Sequence, residues 1–282
     1  VISLLIAVHN GLEWFPGFLR TVLRNTEGEF EIVIVHDACD PARCFAPERA
    51  MGARPPNMRA LREARLSQQS GFSRAMNIAS HLADADSKYF VLMNIDIEVP
   101  RGWDGRLVAA AEMNPSYAAL IPLTGGCKTV PSPLEFLPSL PRTTDHRSRE
   151  TARLIDEAAQ RQYRDGEVIE KPMVPFFCAL VPRWAWDAQS RTDPRAGKPT
   201  VGCFDDGFCD MKTCFGLGED DDWCFRARLA GYRVGVVPNV YVWHRGQVIF
   251  TDEHRRRVLD RQMKYLAAKY GVERFHHGLV RQ

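Results

Sequence analysis

VISLLIAVHNG, Val1 to Gly11, decides the fold. Its first eight residues form a continuous apolar run, without the alternation of a half-solvated strand, and the run stops at His9-Asn10-Gly11. Such a run predicts a strand buried on both faces. Leu12 to Arg24 then carries apolar residues at helical spacing (Leu12, Phe15, Leu19, Val22, Leu23). EIVIV, Glu31 to Val35, repeats the buried-strand pattern and closes on HDACD, His36 to Asp40. Phe72 to Ala83 reads as a helix, and YFVLMNID, Tyr89 to Asp96, as a third strand. Buried strands alternating with helices imply an α/β protein with a central, mostly parallel, doubly wound sheet flanked by helices.

In sheets of this kind ligands bind outside the carboxyl ends of the strands. Polar groups stand at all three ends here: His9 and Asn10, then Asp37 and Asp40, then Asn94, Asp96 and Glu98. Solvation alone makes any one strand end polar. Three converging in one topology point to a binding edge.

Composition bounds the alternatives. With 282 residues, 45% of them hydrophobic and 26% charged, the chain is long enough for one large domain or two small ones with a real core. The formal net charge of +2 is too mild to imply nucleic-acid binding by itself, although basic groups cluster at His254-Arg255-Arg256-Arg257 and between Arg142 and Arg164. No apolar run approaches the roughly 18 to 20 residues of a membrane span, and no signal peptide is visible. The chain opens inside an apolar strand without Met, which leaves room for upstream residues. The expected location is cytoplasmic, or peripheral at a membrane. Among the eight cysteines, neither Cys39/Cys44 nor Cys203/Cys209/Cys214 has zinc-knuckle spacing, so reduced, structural cysteines are expected.

The middle is rich in Pro between residues 120 and 150, and Arg147 to Arg164 reads as a charged, exposed helix. FFCALVP, Phe176 to Pro182, returns to buried-strand character; Trp184 and Trp186 follow, as core or as a wall for a flat acceptor. YRVGVVP and VYVWH read as short strands, and Asp252 to Tyr270 as a basic amphipathic helix. Between them stands GEDDDWCFRARLAGY, Gly218 to Tyr232, which puts Glu219, Asp220, Asp221 and Asp222 in the first turn of a helix that ends at Gly231. The exposed amides and the dipole of a helix start favour one or two acids there. Four adjacent acids repel and raise one another's pKa, a condition that suits a general base.

Taken together these residues resemble the inverting family 2 glycosyltransferases of the GT-A fold. The likeness is carried by an apolar first strand ending in Asn, an acidic loop after the second, GFSRAMN (Gly71 to Asn77), NID (Asn94 to Asp96), GEDDDWCFRARLAGYR and the late VWH (Val242 to His244). It runs from Ile2 to about Gly246, implying a catalytic domain at 1–246, with its nucleotide-sugar half at about 1–100 and its acceptor and catalytic half at about 101–246, and a helical extension at 247–282. The resemblance implies that Asp96 and His244 hold a divalent cation, Mn²⁺ or Mg²⁺, against the diphosphate of a nucleotide sugar. It implies Asp220 as general base with Glu219 beside it, and Asp222 as a helix cap, a partner of Arg226 or an acceptor contact. His9, Asn10, Asp37, Asp40, Arg74 and Asn94 would surround the donor, with Asp37 on the base and a UDP-sugar favoured. Asn94 stands where many members have Asp.

The expected activity is metal-dependent, inverting transfer of a sugar to a hydroxyl of a glycan or polysaccharide. Two neighbouring readings share the motif set: transfer to a hydroxylated base in nucleic acid, and an inactive nucleotide- or glycan-binding relative. A nucleotidyltransferase would open with a Gly-rich loop bearing Arg and Lys after the first strand, and AVHNGLEWF lacks it.

Overall fold

The structure is a computed structural model describing residues 1–11, 13–40, 51–125, 127, 132–187, 201–208, 217–246 and 252–271. Strand β1 (Ile2–Val8) lies between β2 (Phe30–Asp37) and β4 (Tyr89–Met93), parallel to both. Leu4, Leu5 and Ile6 are wholly buried, as a two-faced apolar run requires. Its one polar member, Ser3, is satisfied by the buried Glu31 carboxylate, 2.6 Å away. Helices α1 (Phe15–Asn25) and α2 (Gly71–Leu82) follow β1 and the edge strand β3 (Met58–Leu66). Leu12, the expected start of the first helix, lies outside the described residues.

The rest of the chain runs through β5 (Ile97–Glu98), α3 (Trp103–Met113), β6 (Tyr117–Leu123), α4 (Pro133–Phe136), α5 (Ala152–Gln162), β7 (Ile169–Lys171) and β8 (Cys178–Pro182). Then come α6 (Arg183–Trp186), a 3₁₀ turn at Asp206–Phe208, α7 (Glu219–Leu229), β9 (Arg233–Tyr241), β10 (Trp243–His244) and α8 (Asp252–Tyr270). Eight strands form one sheet in the order β3-β2-β1-β4-β8-β6-β9-β7, and β5 and β10 form a separate ribbon. β8 is antiparallel to both its neighbours and β7 is antiparallel to β9; the other pairs are parallel.

Three elements differ from the sequence expectations, each for a local reason. β3, MRALREARL, shows no buried-strand signal because it is the sheet's edge, with charged residues facing solvent or the flank of β2; Arg62 meets Glu31 at 2.8 Å and Arg59 meets Glu29 at 2.8 Å. β6 hides in the Pro-rich stretch, since Pro122 sits where its register with β9 shifts. The two expected strands after Gly231 are one strand, β9, followed by β10. The pairing jumps from Pro122↔Val237 to Leu123↔Tyr241, which accommodates Pro238 without a ladder bond.

α8 packs on α7 and the 3₁₀ turn through a small cluster of Phe208 and Leu266, with Phe225, Met263 and Tyr270 against it. Gln262 Nε2 donates to the Phe208 carbonyl at 3.1 Å. Among the described residues no helix is long and apolar enough to cross a membrane. Cys39, Cys127, Cys178, Cys203 and Cys224 are free thiols; Cys44, Cys209 and Cys214 lie outside the described residues.

Candidate active site

At the carboxyl end of β4 the chain passes through Asn94, Ile95 and Asp96 into β5. That short strand pairs antiparallel with β10, with His244 opposite Ile97 and Trp243 opposite Glu98. The pairing brings two groups 148 positions apart in sequence together: His244 Nε2 lies 3.4 Å from Asp96 Oδ2. Gly246 N donates to Asp96 Oδ2 at 3.2 Å and Arg245 N to the Asp96 carbonyl at 3.0 Å. Burial pushes the Asp96 carboxyl up, but the His244 hydrogen bond and charge, with backbone amides, outweigh it and hold the group below its ordinary range. The His244 ring stacks on Phe177, centroids 4.9 Å apart and planes 9° from parallel. Its buried Nδ1 has no hydrogen-bond partner among the described residues.

Cis donors of an octahedral cation bound at roughly 2.1 Å lie about 3.0 Å apart, so a carboxylate oxygen and an imidazole nitrogen 3.4 Å apart fit one divalent ion with little movement. Oxygen and imidazole donors suit Mn²⁺ or Mg²⁺ better than a thiophilic metal. Two protein ligands leave positions for substrate oxygens, and among the described residues no group of three or more His, Cys, Asp or Glu forms a closed cage.

The acidic helix is tied to the same edge by the segment Val174–Phe177, which enters β8. Phe177 stacks on His244 and its carbonyl accepts from Asn94 N at 2.9 Å. One residue earlier, Phe176 packs on Trp223 of α7 at 5.3 Å, and Cys224 Sγ lies 3.6 Å from the Val174 carbonyl. So Trp223 and Cys224, just after the acidic turn of α7, and His244 contact one stretch of backbone. Gly218 precedes the helix at φ +91°, a conformation that strains any residue with a Cβ.

Within that turn the four acids differ. Glu219 is 8% exposed, its Oε2 has no hydrogen-bond partner among the described residues, and burial together with the charges of Asp220 and Asp221 pushes its carboxyl up to about 8. Asp220 is half-buried and its Oδ1 accepts from Asp221 N at 2.9 Å. A carboxyl raised by folding holds its proton in the native chain after the unfolded chain has lost it. Between the ordinary pKa of 4.5 and about 8 stability therefore falls as pH rises, by at most about 1.4 kcal/mol per pH unit. Glu219→Gln, which keeps a neutral group of the same shape, is expected to flatten that slope. Urea midpoints of both proteins at about pH 5 and about pH 8 measure it, and parallel curves would refute the assignment.

At the same edge of the sheet the ends of β1 and β2 are stitched together. Asn10, in a left-handed conformation at φ +62°, accepts from Asp40 N at 3.1 Å and donates its own N–H to Cys39 Sγ at 3.3 Å. His9 is exposed, with Nδ1 2.7 Å from the Asp37 carbonyl. His9, Asn10 and Asp40 thus share one patch. Asn94 adjoins the Asp96–His244 pair along the chain.

Several expectations are corrected by this geometry. Asp37 is buried, and its two oxygens accept from Ser70 N at 2.6 Å and Gly71 N at 2.9 Å, so it anchors the start of α2. Arg74 lies against the 3₁₀ turn, Nε 3.4 Å from Asp206 Oδ2, so it already has a counter-ion. Trp186 is buried against Phe90, Phe204 and Trp223, as core. Trp184 packs on Tyr232 at 4.7 Å. Both follow Pro182, which pairs with Tyr89 at the amino end of β4, the opposite end of the sheet from Asp96. Asp222 is wholly buried and bonds Arg226, as one expectation had it, but also Lys269 and Tyr270 of α8, leaving it no acceptor role. Glu98 is paired with Arg149 at 2.7 Å.

The sequence reading missed Phe177, Trp14 and Arg245, and the α8 residues that grip Asp222. Arg245 was adjacent to a singled-out His, which is a usable signal. The partnership of Lys269 with Asp222 spans 47 positions and has none.

The mostly parallel central sheet flanked by helices is that of the GT-A class of fold. The chain belongs to glycosyl transferase family 2, whose pattern it matches over residues 3–166. Among solved structures it is similar to the mannosyltransferase PcManGT of Pyrobaculum calidifontis in complex with GDP-Man and Mn²⁺: TM-score 0.59, 15% identity, 95% of this chain and 64% of that one. S. aureus TarS 1-349 in complex with UDP-GlcNAc gives TM-score 0.59, 12% identity, 95% of this chain and 66% of that one. GalNAc-T7 with UDP, GalNAc and Mn²⁺ gives TM-score 0.55, 14% identity, 96% of this chain and 50% of that one. The chain spans less than two thirds of the length of these structures. A comparison with curated protein sequences gives no match.

Proposed function

We propose that the protein transfers a sugar, with inversion, from a nucleoside-diphosphate sugar to an acceptor hydroxyl on a glycan, with a divalent cation held by Asp96 and His244. The observation that carries this reading is the meeting of Asp96 and His244 at 3.4 Å at the carboxyl edge of the sheet, linked through Phe177 and Phe176 to the helix that opens with the four acids. An inverting displacement needs a base at the attacking hydroxyl and positive charge at the leaving diphosphate, on opposite sides of one carbon. A cation bound by Asp96 and His244 would supply the second.

Asp220 takes the hydroxyl proton. Glu219, its carboxyl pushed up to about 8 by burial and its acidic neighbours, holds a proton beside Asp220 near neutral pH and adds no second negative charge there. His9, Asn10 and Asp40 line the nucleoside side. UDP is the favoured nucleotide, since TarS and GalNAc-T7 are both solved with UDP or a UDP-sugar, while PcManGT carries GDP-Man.

A screen of nucleotide sugars by product mass, with Mn²⁺, with Mg²⁺ and with chelator, tests the proposal. The expected result is metal-dependent loss of sugar from one donor with release of the nucleoside diphosphate. Release of pyrophosphate would make the protein a nucleotidyltransferase, and binding of a donor without turnover on any acceptor or water would make it a binding relative.

A further inference from the structure

We propose that Arg245 binds the diphosphate of the donor, aimed by the Trp14 ring beneath it. The inference rests on the glycosyl-transfer reading above and extends it to a residue pair that the acidic motifs do not contain. The Arg245 guanidinium carbon lies 3.9 Å from the centroid of the Trp14 ring. The same residue's backbone N–H donates to the Asp96 carbonyl at 3.0 Å, so its position is locked to the strand end that carries the metal pair. Trp14 is fixed in turn by the loop after β1: its N–H donates to the Gly11 carbonyl at 3.1 Å, and Gly11 packs so tightly on Ile95 that a Cβ there would lie 2.5 Å from Ile95 Cδ1. The loops after β1 and β4 and the β10 end meet at this pair.

Charge then decides what the pair is for. Arg74 is matched by Asp206, Arg149 by Glu98 and Arg226 by Asp222. Arg245 is exposed and meets no carboxylate among the described residues. An unmatched guanidinium held on an aromatic face has lost much of its rotamer freedom before binding, and its planar fork matches two phosphate oxygens. One residue from His244, such a cation complements a diphosphate that reaches the metal pair.

Calorimetric titration of UDP and UMP, with GDP and GMP in parallel and Mg²⁺ present throughout, tests this on Arg245→Ala, Arg245→Lys and Trp14→Leu. Arg245→Ala is expected to weaken the diphosphate about 10- to 100-fold, the value of one or two charge-assisted hydrogen bonds, and to leave the monophosphate within about threefold. Arg245→Lys should recover part of the loss, and Trp14→Leu should weaken the diphosphate by about three- to tenfold through lost aim. Equal losses for diphosphate and monophosphate, or no loss, would overturn the inference while the donor reading stands. A wild-type protein that binds neither diphosphate would sink the donor reading itself. Arg245 is exposed, so an unchanged thermal midpoint of Arg245→Ala separates lost binding from lost fold.

Discussion

Asp220→Asn is expected to lower turnover by roughly 10²- to 10⁴-fold while the affinity for the nucleotide-sugar donor stays within about threefold. Asparagine preserves the shape and one hydrogen-bond-accepting oxygen, so the contact with Asp221 N survives and the helix start is undisturbed. What is lost is the capacity to accept the hydroxyl proton as the bond to the anomeric carbon forms. The cradle proposed for the donor, at Asp96, His244 and the β1 and β2 loops, lies outside the exchanged atoms. Initial rates at saturating donor and acceptor, with a parallel donor titration, separate the two effects. Glu219→Gln is the informative control: it mimics the protonated form that burial and its acidic neighbours already impose below about pH 8, and should keep most of the turnover there. An inactive Glu219→Gln beside a near-normal Asp220→Asn would transfer the base role to Glu219.

That division of labour could not be read from four letters in a row. The acidic run and its placement at a helix start were legible, because four adjacent acids before an apolar helical pattern are visible without coordinates. Which acid is buried was not, since burial depends on Val174–Phe177 and on α8, far away in the chain. The expectation that mutual repulsion raises a carboxyl pKa holds for Glu219, where burial is the largest cause and the neighbours add to it. Strand ends behaved likewise. β1, β2 and β4 were legible from their two-faced apolar runs, and Asp96 and His244 from their positions at strand ends. Asp37 was less legible, because an acid at a strand end is equally suited to anchor the next helix, as the amides of Ser70 and Gly71 show that it does here. Of the two readings of the tryptophans, core or acceptor wall, Trp186 takes the first; sequence shows that they follow a strand and not in which direction that strand runs, and β8 is antiparallel to β4.

The acidic helix also owes its place to a residue the sequence presented as one acid among four. Asp222 is wholly buried, and three donors converge on it: Arg226 Nε at 2.8 Å, Lys269 Nζ at 2.6 Å and Tyr270 OH at 2.5 Å. Two of these come from α8, and Lys269 reaches on to Asp205 at 2.7 Å, so the C-terminal helix is fastened to the underside of the turn that carries Glu219 and Asp220. Asp222→Ala leaves the Arg226 and Lys269 cations partly buried without their shared counter-ion, a defect that costs about 3 to 5 kcal/mol when both charges are fully buried. Here the two cations are 22% and 26% exposed, which places the expected loss near about 3 kcal/mol. Urea denaturation measures it as a lowered midpoint at unchanged slope. Lys269→Met removes one cation with the carboxylate still held by Arg226 and Tyr270, so it should cost less, and the double variant should cost less than the sum, by more than about 0.5 kcal/mol. Strict additivity would mean that α8 rests on α7 and the 3₁₀ turn through the apolar cluster of Phe208, Phe225, Leu266 and Tyr270 alone. Coupling, with turnover falling in step at a temperature where the variant remains folded, would mean that α8 sets the position of Glu219 and Asp220 from behind.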